Sequence, residues 1–209
     1  MKKPSNCFSV IHYNWCDSSW QEFIQRIGAL GICGVELLHT DWLEKTNKEL
    51  NNLKTLFEDN EIIVVAVGVG NDFCLDPDTD AMQQQIDRVV RAADVAKMLD
   101  CDLLRLEGGK ARSDISMEKQ WGNIQSGVEK AVQRAENEKV RLALDTHGQI
   151  TNQADKLADL LNYFNSPFLG SCIDPSNLRW YGHSVQRCNE LIDLLIPRAF
   201  HVHLKNGDV

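Results

Sequence analysis

Arg141-Leu-Ala-Leu-Asp-Thr-His147 decides how this chain is read. Side chains alternate along a strand, so Leu142 and Leu144 share one side while Ala143, Asp145 and His147 share the other. Two more pieces repeat the pattern. Gly170-Ser-Cys-Ile-Asp174 also closes on an acid. Phe200-His-Val-His-Leu-Lys205 sets His201, His203 and Lys205 against Val202 and Leu204. Three consecutive strands thus end in residue types that ligate metals, and carboxylate oxygens with imidazole nitrogen suit one divalent ion such as Mn²⁺, Mg²⁺, Co²⁺ or Zn²⁺.

Upstream, the chain alternates short apolar runs with amphipathic stretches. Predicted strands are Phe8–Tyr13, Gly34–Leu38, Glu61–Val67 and Asp102–Glu107. The run Glu61–Val67 is almost continuously apolar, as in a parallel strand covered on both faces. Ser18-Ser-Trp-Gln21 resembles a capping box opening a helix over Trp20–Leu30, closed by Gly31. Further helical periodicity surrounds Leu50–Phe57, Met82–Ala96, Met117–Glu138, Ala154–Phe164 and Val185–Leu195. No linker or low-complexity segment interrupts the alternation, so 1–209 reads as one domain. Strand–helix alternation means a parallel α/β sheet, open or closed. An open doubly wound sheet needs apolar residues on both faces. Here one face carries Arg105/Glu107, Asp145/His147, Cys172/Asp174 and His201/His203, while the other carries Leu104/Leu106, Leu142/Leu144, Ser171/Ile173 and Val202/Leu204. Polar residues gathered at strand carboxyl ends are the habit of a TIM-type (β/α) barrel. Only seven strands are predicted. At about 30 residues per unit, an eighth is expected beyond residue 209, so the predicted barrel is incomplete: either the chain is a truncated fragment, or a gap in the wall is left open or filled by a partner chain.

Composition narrows the function. The net charge of −8 argues against a surface that coats nucleic acid. No window approaches a membrane span, and no signal peptide is predicted. Seven cysteines form no CxxC pair, which suggests buried, reduced thiols in a cytoplasmic protein. An open barrel edge would invite homo-oligomerisation.

Each candidate has a plainer reading. Asp174 precedes Pro175, so it could simply cap a helix. Arg105 and Glu107 could pair with each other. His201 could be a hydrogen-bonded core residue, and Lys205 a solvated strand end. On the functional side, His147, Glu107 and His12 would contact substrate, and Lys205 would bind a hydroxyl or phosphate or stabilise an enolate. Trp15, Trp42 and Trp180 follow strand ends and could stack on a ligand ring, whereas Trp20 and Trp121 read as core.

Leu142-Ala-Leu-Asp-Thr-His-Gly148, Ile173-Asp-Pro-Ser-Asn-Leu178 and His201-Val-His-Leu-Lys-Asn206, with Val67–Phe73 and Leu104–Gly109, resemble the xylose isomerase-like TIM barrels, a family of sugar and sugar-phosphate isomerases and epimerases. In that family one ion is held by a Glu, an Asp, a His and a second Glu on strands five to eight. The resemblance implies Asp145, Asp174 and His203 as ligands here, with Asp replacing the first Glu and no counterpart for the second. It implies Asp145 as the base that moves a proton through an ene-diolate. It also sets Asn177 at a substrate-binding position where some relatives carry His. The expected partner is a small sugar, polyol or sugar phosphate. Competing readings are a polyol dehydratase, an inactive barrel fragment, and an endonuclease IV-like phosphodiesterase, the last disfavoured by six histidines and the acidic charge.

Overall fold

The computed structural model describes residues 8–15 and 17–205, leaving Cys7, Cys16 and Asn206 outside it. Seven strands follow in sheet order: β1 (Ser9–Ile11), β2 (Gly34–Leu37), β3 (Ile63–Gly68), β4 (Leu103–Leu106), β5 (Arg141–Asp145), β6 (Leu169–Ile173) and β7 (Ala199–Val202). The helices among the described residues are α1 (Trp20–Ala29), α2 (His39–Trp42), α3 (Asn47–Asp59), α4 (Asp80–Met98), α5 (Met117–Glu138), α6 (Ala154–Phe164), α7 (Pro175–Tyr181) and α8 (Val185–Leu195). This is the incomplete TIM-type (β/α) barrel class, with seven strands and no eighth among the described residues. No helix there is long and apolar enough to cross a membrane.

Two compact units make up the chain, Met1–Val69 with Arg91–Leu104, and Gly70–Val90 with Arg105–Val209. In the first, β1, β2 and β3 pair in parallel. Phe23, Ile27, Leu37, Trp42 and Leu50 are fully buried there. The capping box of α1 is one residue later than the sequence suggests. Ser19 is the cap, and the Glu22 carboxylate accepts from the Ser19 N–H and hydroxyl, each at 2.9 Å. A charged acceptor makes the stronger bond, which favours Glu22 over Gln21. The strand predicted through Tyr13 stops at Ile11, and His12 enters a 3₁₀ turn.

In the second unit, β5, β6 and β7 pair in parallel. Leu142 and Leu144 of β5 are fully buried, as are Ile124 and Val128 of α5 and Leu157 of α6. Just beyond β4, the Asn71 side chain donates to Glu107 O at 2.5 Å and accepts from Glu107 N at 3.0 Å. Strand β7 ends at Val202, short of the predicted Lys205, although the His203 N–H still donates to Ile173 O at 2.9 Å. Val202 and Leu204, expected against helices, are 48% and 76% exposed. Among the described cysteines Cys74, Cys101, Cys172 and Cys188 are buried, whereas Cys33 is exposed.

Packing of α5 hinges on Gly127. A Cβ there would lie 2.6 Å from the ring of Phe73, which is itself fully buried. Gly127→Ala is expected to lower stability by about 1–3 kcal/mol through overpacking, offset in part by ~1 kcal/mol of helix propensity. Thermal denaturation followed by circular dichroism measures the net effect.

Candidate functional site

The second unit builds the site by stapling the ends of β5 and β6. Asp145 and Cys172 are register partners across the two strands. Just beyond, the Thr146 N–H donates to Cys172 O at 3.0 Å, and the Thr146 hydroxyl accepts from the Asp174 N–H at 2.8 Å. These two bonds fix Asp145 and Asp174 on neighbouring strand ends.

Asp145 is 1% exposed. Its Oδ2 accepts from Arg105 Nη1 at 3.0 Å, whereas Glu107 Oε1 is 3.5 Å from the same nitrogen. The ion pair expected between Arg105 and Glu107 is therefore shared, with Asp145 the nearer acid. Burial pushes the Asp145 carboxyl above its ordinary value, against the opposing pull of Arg105. Its other oxygen, Oδ1, is buried and has no hydrogen-bond partner.

Asp174 does two jobs. It caps α7, its Oδ1 accepting from the Asn177 N–H at 3.1 Å, with Pro175 at the first helical position. That is the plainer reading of the residue, and it leaves the second oxygen available. Oδ2 lies 2.5 Å from Lys205 Nζ and 3.7 Å from His203 Nδ1. Burial would raise this carboxyl, but His203, Lys205 and the Asn177 N–H together hold it below the usual carboxylate value. His203 is buried and stands near both acids, its Nδ1 also 4.0 Å from Asp145 Oδ2. The sequence sets Cys172 on the same face as Asp174 but does not single it out as a donor. One ligand atom each from Asp145, Cys172 and His203 all lie within 4.8 Å of one another. Oxygen, sulfur and nitrogen donors converging beside an unpartnered carboxylate oxygen fit a divalent cation.

Asn177 organises the cleft side. Its amide donates to Thr146 O at 2.9 Å and lies 3.4 Å from His147 Nδ1, while its oxygen accepts from Lys205 Nζ at 2.9 Å. The expected substrate-binding amide is thus largely occupied in holding Lys205 in place. A cleft of about 590 Å³, lined by His147, Asn177, Trp180 and Lys205 among others, opens here, within the range of small-molecule sites. Trp180 is 53% exposed and has Lys205 Nζ 5.1 Å from its ring centroid. His201 is half-buried and packs edge-on to His203 at 5.1 Å.

The remaining candidates have other surroundings. In the first unit, His12 Nδ1 pairs with Asp41 Oδ1 at 2.8 Å, and its ring stacks on Trp20 at 3.8 Å. Trp42, expected to stack on a sugar, is fully buried with its indole N–H donating to Gly68 O at 3.0 Å. Trp15 packs against Phe23 with ring centroids 5.9 Å apart. Trp121 is buried, as its helical spacing suggests.

Two tests follow from this geometry. Arg105→Met would leave Asp145 as an uncompensated buried acid, so a loss of about 3–5 kcal/mol is expected. Arg105→Met with Asp145→Leu should recover much of that loss in urea denaturation. The second test concerns acid. Because the folded state lowers the Asp174 carboxyl, its stabilisation is complete above the ordinary aspartate value and lost as pH falls through the lower, folded one. Asp145 has the opposite sign, its raised carboxyl making the folded state less stable as pH rises through that window. With chelator present, Asp174→Asn is expected to flatten the acid limb of the stability profile, and Asp145→Asn to steepen it.

Residues 24–209 match the xylose isomerase-like TIM barrel family. No curated protein matches the chain by sequence. Among solved structures, the fold is similar to a probable 3-DHS dehydratase, AsbF, from Bacillus anthracis (TM-score 0.77, 16% identity, 96% of this chain and 73% of that one). It is also similar to a D-psicose 3-epimerase from Clostridium cellulolyticum, solved with D-tagatose (TM-score 0.79, 16% identity, 93% and 71%). A third is the IOLI protein, solved with a bound zinc atom (TM-score 0.71, 16% identity, 85% and 66%). At these identities the structures speak for the fold alone, whereas the match over 24–209 settles the family: this chain belongs to the xylose isomerase-like TIM barrels.

Proposed function

We propose that this protein is a metal-dependent isomerase or epimerase acting on a sugar, polyol or sugar phosphate. The observation that carries the proposal is the meeting of Asp145, Cys172 and His203 within 4.8 Å, with Asp174 Oδ2 3.7 Å from His203. Beside it lies the cleft lined by Lys205. Asp145, Asp174 and His203 would hold the ion. When bound, such an ion supplies Lewis-acid polarisation of a substrate carbonyl.

The chain's own residues supply the rest. Arg105 holds Asp145 by one oxygen and leaves Oδ1 without a hydrogen-bond partner. Burial makes the Asp145 carboxylate a stronger base than an exposed aspartate, suited to removing a proton next to a carbonyl. Asn177 and Asp174 hold the Lys205 ammonium at the cleft, where it would stabilise charge developing on an enolate oxygen. His147 and Glu107 offer hydrogen bonds to substrate hydroxyls, and the exposed face of Trp180 offers a surface for a sugar ring.

One feature favours a second reading. An ammonium group that carries a proton beside the cleft can donate it to a departing hydroxyl, which is what a dehydratase of a polyol ketone needs. The two readings separate in D₂O with Mn²⁺, Co²⁺ or Zn²⁺ and a panel of ketoses, aldoses and their phosphates. Isomerase or epimerase action gives a rearranged sugar carrying solvent deuterium at carbon, while dehydration gives a product lighter by one water. Asp145→Asn is expected to slow either reaction about 10²–10⁴-fold, the usual contribution of a positioned acid or base. Lys205→Met should depress turnover in the same assay. Retention of wild-type activity by Asp145→Asn would overturn the assignment of the base.

A further inference from the structure

We propose that Cys172 is itself a ligand, so that the centre is a mixed nitrogen, oxygen and sulfur site that selects Zn²⁺ or another thiophilic ion over Mg²⁺ and Mn²⁺. The inference rests on the metal-dependent reading above and names the ion that reading leaves open.

Three observations meet at this residue. Cys172 sits directly across from Asp145 in the β5–β6 register. The Asp145, Cys172 and His203 ligand atoms lie within 4.8 Å of one another, and all three residues are buried. Asp145 Oδ1, on a side chain 2% exposed, has no hydrogen-bond partner. Donors about 2.0–2.3 Å from a tetrahedral Zn²⁺ stand roughly 3.5 Å apart. The cluster therefore closes by about 1 Å or less per donor to take the ion. Cys172 and Asp174 are two residues apart, and alternate residues of an extended segment point to the same side. Asp174 stands beside the trio, its Oδ2 3.7 Å from His203 Nδ1. The neighbouring residue is accounted for elsewhere: the Ser171 hydroxyl donates to Leu195 O at 3.3 Å.

Charge and softness both point to zinc. The ligand is the thiolate, so binding sends the thiol proton to solvent. Sulfur is a poor donor to Mg²⁺ and Mn²⁺, which take oxygen, and a good one to Zn²⁺. Arg105 occupies Asp145 Oδ2 at 3.0 Å, and its positive charge beside the ion is offset by the thiolate.

Cobalt is the probe, because Co²⁺ reports sulfur ligation by an intense near-ultraviolet charge-transfer band. The chelator-treated full chain is titrated with Co²⁺ and read by absorbance, with stoichiometry from calorimetry. The expected result is one Co²⁺ per chain, a sulfur band in the wild type, and loss of that band in Cys172→Ser while Co²⁺ still binds. Zn²⁺ should displace Co²⁺ from the wild type, and a large excess of Mg²⁺ should not. Cys172→Ser is expected to weaken Zn²⁺ by more than the roughly 10–100-fold that losing an outer-shell partner costs. Stoichiometric Co²⁺ without a sulfur band, or with a band that survives in Cys172→Ser and Cys172→Ala, overturns Cys172 as a ligand and leaves the metal-dependent reading standing. Absence of Co²⁺ and Zn²⁺ binding to folded wild-type protein overturns both. The wild-type band and the Mg²⁺ competition decide the matter even if neither cysteine variant folds.

Discussion

The buried pair of Arg105 and Asp145 is the constraint around which the second unit's site is arranged. An ionised carboxylate taken out of water loses several kcal/mol of hydration, which a partner restores only with good geometry and further hydrogen bonds. Arg105 supplies one bond at 3.0 Å to one oxygen. The other oxygen is left without a partner, at a cost of about 1–3 kcal/mol for such a group. Burial outweighs the guanidinium, so the Asp145 carboxyl is raised even with Arg105 beside it. An acid kept buried, half-paired and aimed at other donor atoms serves the fold poorly and serves chemistry well, the kind of local conflict that functional sites carry.

Asp174 is placed by a different economy, that of a helix end. Helix α7 leaves its first N–H groups without partners, and an aspartate cap followed by proline is the standard remedy. One oxygen does that work, and the backbone of Asn177 then fixes the side chain's orientation. Orientation of the second oxygen toward His203 and Lys205 follows at no further cost. The Asn177 amide extends the arrangement to Lys205. Ordinary capping thus delivers a lysine to the mouth of the cleft without any element devoted to it.

Much of this was legible in the sequence, and the gaps have physical reasons. Alternation of strands and helices, and the polar face at strand ends, followed from periodicity alone. The position of α5 was read closely because Trp121, Ile124, Val128 and Ala131 keep one apolar stripe over many turns. Strand ends were less legible. His12 and Lys205 continue an alternating pattern, yet the first strand stops at Ile11 and the last at Val202. For His12 the pull comes from Asp41, 29 residues away, which no local pattern encodes. The same holds for Arg105, whose nearer acid is 40 residues downstream and not the Glu107 two residues along. Trp42 follows a strand as a sugar-stacking residue would, but nothing in its neighbourhood announced that Gly68 O would take its indole N–H. Helix ends were partly hidden because Lys139 and Asn165 take the left-handed conformation that glycine usually marks.

The division of labour within the site bears on what chemistry it can do. A carboxylate oxygen that ligates a cation is a weaker base than the same oxygen unbound, so ligation and proton transfer compete at Asp145. A Cys172 thiolate among the donors eases that competition, because the sulfur and the His203 nitrogen share the charge that the ion draws on. Asp145 keeps the basicity that burial gives it, with one oxygen fixed by Arg105. In that arrangement the sulfur does more than fill a place among the donors. It sets a donor directly across the β5–β6 register from Asp145, in a site where Asp174 commits one oxygen to capping a helix.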